Sequence, residues 1–123
     1  MHKQLGGASE HKIISCVSGA VFDVALDLRR NSKTFLKWES VILKPGKYNS
    51  IVIPPGVAHG FQTLDKNSEL LYLHTENCSP DDEFGVSYMD PKVDIKWPLP
   101  RTQISERDLS FEPLSEDFLG YNL

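Results

Sequence analysis

The sequence predicts an all-β sandwich or barrel of jelly-roll type, and three observations carry that expectation. About six to eight short runs rich in β-branched and aromatic residues recur at near-regular spacing. Turns containing Gly and Pro separate them, and helical periodicity is almost absent. At 123 residues the chain is expected to form one domain, residues 1–123, large enough to bury a single core without disulfide staples.

Taken in order, Met1 to Glu10 is small and polar and reads as loop or a frayed end. Lys12 to Val17 (K-I-I-S-C-V) reads as a strand, Ser18-Gly19 as a two-residue turn, and Ala20 to Leu28 as the returning strand of a hairpin. Along that second strand Phe22, Val24, Leu26 and Leu28 face one way, and Val21, Asp23, Ala25 and Asp27 the other. Carboxylates among small apolar residues point to a lumen that holds a ligand rather than a sealed core. Arg29 to Lys33 is a polar connection, Thr34 to Leu43 a long strand with Phe35 and Trp38, and Lys44 to Lys47 a turn.

The stretch Ile51 to Phe61 (I-V-I-P-P-G-V-A-H-G-F) is the most informative. A strand over Asn49 to Ile53 is stopped by Pro54-Pro55-Gly56, and the chain then resumes an extended path that delivers His59 at the lip of a sheet. Gly60 beside it has no side chain, which leaves room for something other than protein to approach the imidazole. The plainer alternative is a satisfied structural histidine after a tight turn. Gly60 to Leu64 and Glu69 to Thr75 read as further strands joined by the Asp65–Ser68 turn, the latter placing Tyr72 and His74 on one face. Val86 to Met89 reads as a short strand, and caps at Ser105 and Ser115 followed by helix formers predict a short helical tail.

The formal charge is −4 with lysines and arginines scattered, so no nucleic acid polymer is expected as a partner, while a phosphorylated small molecule stays compatible. No apolar run approaches the ~18 residues of a membrane span. The N-terminus lacks the apolar core of a signal peptide, so the expectation is a cytoplasmic protein. Cys16 and Cys78 show no paired spacing and read as free thiols. The histidines are His2, His11, His59 and His74, and none forms a His-x-His pair followed by a carboxylate. Neither a metal nor another cofactor is therefore expected, and proton transfer by organic side chains is the better reading.

Several segments resemble the dTDP-4-dehydrorhamnose 3,5-epimerases, a family of metal-free cupins that act on 4-keto sugar nucleotides. They are V-S-G-A-V-F-D-V-A-L-D-L-R (Val17 to Arg29), I-P-P-G-V-A-H-G-F (Ile53 to Phe61), E-L-L-Y (Glu69 to Tyr72), D-P-K-V-D-I-K-W-P-L (Asp90 to Leu99) and I-S-E-R-D (Ile104 to Asp108). The resemblance implies a cupin-type jelly roll, a sugar-nucleotide substrate, and a place in deoxysugar and surface polysaccharide biosynthesis. It also implies site residues: His2 as the base, Asp108 as its dyad carboxylate, Lys12 as support for the enolate, and Tyr72 as the acid. Asp23 and His59 match further polar positions of the family's pocket.

The residue types suit that chemistry. A C–H next to a ketone is a weak acid, and a carboxylate-oriented histidine is a base poised near neutral pH. The enolate oxygen needs a cation or donor, here Lys12 with help from His59. Proton return from Tyr72 on the other face of the ring inverts the centre. The family carries further strands ahead of the base, whereas one residue precedes His2 here, so a second reading stays open: a catalytically inactive epimerase-like cupin that serves as a small-molecule binding or structural module. Exposed strand edges predict a homodimer under either reading.

Overall fold

The computed structural model describes residues 2–4, 11–75, 83–100 and 113–120. Strands run over His2–Gln4 (β1), Lys12–Ser18 (β2), Val21–Asp27 (β3), Trp38–Leu43 (β4), Ser50–Ile53 (β5), Val57–Thr63 (β6), Glu69–His74 (β7) and Glu83–Gly85 (β8). They form two antiparallel sheets, one of order β4-β3-β6-β1-β8 and one of order β5-β2-β7. The all-β jelly roll expected from the sequence is the architecture observed. Among the described residues there is no helix, hence none long and apolar enough to cross a membrane.

The alternation of β3 decides how the layers stack. Its even positions Val24 and Leu26, with Leu28 just beyond, are fully buried in an outer cluster with Ala58, against which the chain segment bearing Val86, Val93 and Ile95 packs. Its odd positions face the second sheet, where Val21 and Leu43 meet Ile14, Cys16 and Ile53. Each such aliphatic side chain contributes roughly 1.5–3 kcal/mol by leaving water. The five-stranded sheet is therefore covered on both sides. Asp90 pins the covering segment: its buried carboxylate accepts the Lys92 N–H at 2.9 Å and the Leu114 N–H at 2.7 Å.

Six expectations are corrected, the first being that Met1 to Glu10 is loop or a frayed end: His2–Gln4 forms β1, paired with β6 and β8. The hairpin over Ser18-Gly19 does not form, because β2 and β3 lie in different sheets. Gly19 has φ +77° and a Cβ there would lie 2.5 Å from Ser68 Oγ, while Ala20 bonds to Ser68 Oγ at 3.2 Å and to the Leu64 N–H at 2.9 Å. The turn is thus a corner that passes the chain from one sheet to the other, held against the β6–β7 connection. The strand predicted from Thr34 starts only at Trp38, because Leu36 takes a φ of 61°, outside the extended region. Val86 to Met89 is not a strand; the short pairing falls on β8 instead, which precedes it. The helical tail is absent at 113–120, where Ser115 to Phe118 forms a single turn closed by the Phe118 N–H on Ser115 O at 3.1 Å. Its other half, around Ser105 to Asp108, lies outside the described residues. Finally, Gly60 pairs with Val24 and lies on the face of the sheet opposite to that of His59, so it opens no space over the imidazole.

Asp27 ends β3 and closes the loop to β4. Its carboxylate accepts from the Arg29 N–H (2.9 Å), Arg29 Nε and Nη2 (both 3.0 Å), Ser32 Oγ (2.6 Å) and Thr34 Oγ1 (2.5 Å). Burial pushes this carboxyl up, but those hydrogen bonds together outweigh it and hold the group well below the ordinary carboxylate range. A depressed folded-state value means a contribution that is full above the unfolded-state value near 3.9 and lost as pH falls toward the folded one. Asp27→Asn is therefore expected to lower stability at pH 7 by about 1–3 kcal/mol, with the gap to the wild type narrowing by pH 3 in urea melts. A gap that stays constant between those pH values would mean that the loop does not depend on the charge.

Candidate active site

The site lies between the sheets and draws on both. On the five-stranded wall, the β3–β6 register sets Asp23 opposite Phe61 and Ala25 opposite His59. Strand alternation turns these residues toward the lumen. His59 Nε2 lies 2.7 Å from Asp23 Oδ2, with the two residues only 6% and 0% exposed. A carboxylate accepts, so Nε2 donates and Nδ1 is the nitrogen left for other work. Asp23 Oδ1 is buried with no hydrogen-bond partner among the described residues. The Phe61 ring, on the same strand as His59, stacks on the imidazole at 6.1 Å between centroids and 28°.

The opposite wall is the inner face of β2 and β7. Lys12 and Ile14 alternate inward on β2, and the register sets Tyr72 opposite Ile14 and His74 opposite Lys12. Lys12 is 9% exposed, although a lysine at the first position of a strand is ordinarily solvated. The Tyr72 ring crosses the gap and meets His59 edge-on at 5.9 Å and 75°. On its own strand it stacks with His74 at 6.1 Å and 21°. Burial first, and then the negative charge of Asp23, raise the Tyr72 phenol well above its ordinary range. It therefore holds its proton throughout the neutral range and is available as a donor.

Four of the six residues singled out from the sequence, Lys12, Asp23, His59 and Tyr72, thus come together. His2 belongs to β1, whose backbone register sets it directly opposite His59. Asp108 lies outside the described residues. The sequence reading did not pair His59 with Asp23, 36 positions apart, because alternation gives the face of each residue but not the register between strands. It also left Phe61 and His74 unassigned; the only signal for either was spacing, each standing two positions from a site residue on the same strand. Chemically, the arrangement offers a buried imidazole–carboxylate pair and a protonated phenol on facing walls, with an ammonium group on the phenol's side. Among the described residues no three His, Cys, Asp or Glu side chains converge in the manner of a metal site.

Comparison with known proteins identifies the family. The family model described as dTDP-4-dehydrorhamnose 3,5-epimerase matches residues 1–116. The dTDP-4-dehydrorhamnose 3,5-epimerase of Shigella flexneri is 36% identical over 110 residues, which cover 89% of this chain and 61% of the relative. The Bacillus anthracis str. Ames dTDP-4-dehydrorhamnose 3,5-epimerase, solved with TDP and PPi bound, superposes with a TM-score of 0.87 at 34% identity, covering 92% of this chain and 65% of that one. The Legionella pneumophila Philadelphia 1 3,5-epimerase, solved in complex with dTDP-4-keto-L-rhamnose, gives a TM-score of 0.87 at 34% identity, covering 99% of this chain and 66% of that one. The chain thus spans a little under two thirds of the length of these relatives. Since the match runs through both walls of the lumen and nearly the whole sequence, the chain belongs to the dTDP-4-dehydrorhamnose 3,5-epimerase family.

Proposed function

We propose that this chain epimerises 4-keto-6-deoxy sugar nucleotides, of the dTDP-4-dehydrorhamnose type, in deoxysugar supply for surface polysaccharide. The observation that carries the reading is the buried His59–Asp23 pair with the Tyr72 ring edge-on to it from the other sheet. Relatives solved with TDP, and with dTDP-4-keto-L-rhamnose, support the substrate class.

In this reading His2, oriented by Asp108, removes the proton next to the ketone, and the electron pair passes to the carbonyl oxygen as an enolate. Lys12 and the imidazole of His59 stabilise that oxygen, whose charge in a water-poor lumen needs a preset cation or donor. Tyr72 gives its proton to the carbon from the other face, and the centre inverts. Asp23 fixes the His59 ring through Oδ2. The protein works in the cytoplasm as one domain and as a homodimer.

The test is solvent deuterium uptake into dTDP-4-keto-6-deoxyglucose, read by mass spectrometry. The purified protein is expected to incorporate deuterium, the number of atoms counting the centres that exchange, and His2→Ala is expected to abolish uptake. No uptake, combined with a thermal shift on adding the nucleotide, would favour the epimerase-like binding module instead. Neither uptake nor shift would remove this substrate altogether.

A further inference from the structure

Tyr72 has an unusual setting for a group that must hold a fixed position. Its strand, β7, is at the edge of the three-stranded sheet, with β2 as its neighbour on one side. Its cross-strand partner on β2 is Ile14, an aliphatic side chain that can press on a ring but cannot orient it. Tyr72 as a whole residue is 37% exposed, so packing alone does not lock its rotamer. Among the described residues two aromatic neighbours remain. His59 meets it edge-on from the other sheet, and His74, itself exposed, lies nearly parallel to it at 6.1 Å.

We propose that His74 is a positioning residue for Tyr72: its ring backs the phenol and holds it edge-on to His59, so that the hydroxyl stays in the lumen. The inference rests on Tyr72 being the acid of the proposed epimerisation. Strand geometry makes the arrangement natural. Residues two apart on one strand share a face, and offset stacking at this separation is favourable between flat rings. The register also sets His74 opposite Lys12, so the residue that backs the acid shares a rung with the residue that supports the enolate. What matters for Tyr72 is a flat ring at position 74, not a proton on it.

Two variants separate these properties, His74→Ala removing the ring and His74→Phe keeping it. The activity readout is the ratio of net inversion to deuterium exchange. A base that removes and returns a proton on one face still exchanges it when the acid is misplaced, but it no longer inverts. His74→Ala is expected to lower this ratio about 10-fold or more, and His74→Phe to stay within about twofold of wild type, because small misplacements of a reacting group carry large rate penalties. The second readout needs no activity. With tyrosine labelled at 13Cζ and the Tyr72 signal assigned through Tyr72→Phe, the phenol is titrated from about pH 8 to about pH 11, around the ordinary tyrosine value. Wild type and His74→Phe are expected to stay protonated across that range, whereas His74→Ala ionises within it as the ring swings into water. An unchanged Tyr72 titration in His74→Ala, or a His74→Phe that behaves like His74→Ala in both readouts, would overturn the proposal. If wild type takes up no deuterium at all, the epimerase reading fails by itself, and the titration alone decides whether His74 holds Tyr72.

Discussion

Replacing His59 by leucine is expected to destabilise the protein by about 3–5 kcal/mol, the usual consequence of removing one partner of a buried pair. The size follows from Asp23 rather than from the lost imidazole. Asp23 is 0% exposed and its Oδ1 already has no partner among the described residues, so among them His59 Nε2, at 2.7 Å, is the donor that satisfies that carboxyl. Leucine has nearly the volume of histidine, so no large cavity opens; the penalty is the desolvation of a polar group left unsatisfied. The control is the double substitution Asp23→Ala with His59→Leu, whose combined volume is close to that of the native pair. It is expected to recover most of the loss, because two apolar groups in place of a buried ion pair are often neutral or better. Urea denaturation of the four proteins of the cycle gives the coupling directly. A single-variant loss below about 1 kcal/mol would show that water or another donor reaches Asp23. The double variant should fold and yet fail to epimerise, which separates what the pair does for stability from what it does for chemistry.

Tyr72→Phe is expected to cut net inversion by about 10²–10⁴-fold, the range for loss of a positioned general acid. The substitution removes one oxygen and keeps the ring that stands edge-on to His59 and against His74, so stability is expected to change little. Deuterium exchange on the base's face should persist, since that step does not use the phenol. The raised phenol also fixes a pH expectation: Tyr72 stays protonated past the ordinary tyrosine value near 10, so an alkaline fall in wild-type activity below that pH belongs to another group. Parallel loss of exchange and inversion in Tyr72→Phe would place the phenol in the first proton removal instead of the return.

Much of the fold was legible because period-two alternation is a strong signal where both faces of a strand are used differently. β3 is the example, with Phe22, Val24 and Leu26 on the outer cluster and Val21, Asp23 and Ala25 toward the lumen. What alternation cannot give is which strands pair. Ser18-Gly19 has the length and composition of a hairpin turn, and only the contacts of Gly19 and Ala20 with Ser68, far along the chain, make it a corner between sheets. The same limit governed the site. Asp23 and His59 could each be placed on a face from their neighbours, but their hydrogen bond depends on register, and register is set by the whole sheet. Thr34 to Lys37 failed for a local reason: Phe35 and Leu36 look like strand residues, yet the side chains of Ser32 and Thr34 are drawn to Asp27 and bend the chain before β4 can start.

The covering segment pinned by Asp90 gives the two walls of the lumen different mechanical characters. β3 and β6 are sandwiched between two apolar clusters, so exposing their amides to solvent exchange requires something close to global unfolding. Among the described residues the leaf formed by β5, β2 and β7 is backed on one side only, and its other face leaves Val52, Leu71 and Leu73 more than half exposed. Its amides should open at lower free energy. The imidazole–carboxylate pair therefore rides on an anvil, and the phenol, the lysine and His74 ride on a spring. Thermal motion of the spring widens or narrows the gap through which a sugar ring must pass, while the pair on the anvil stays paired.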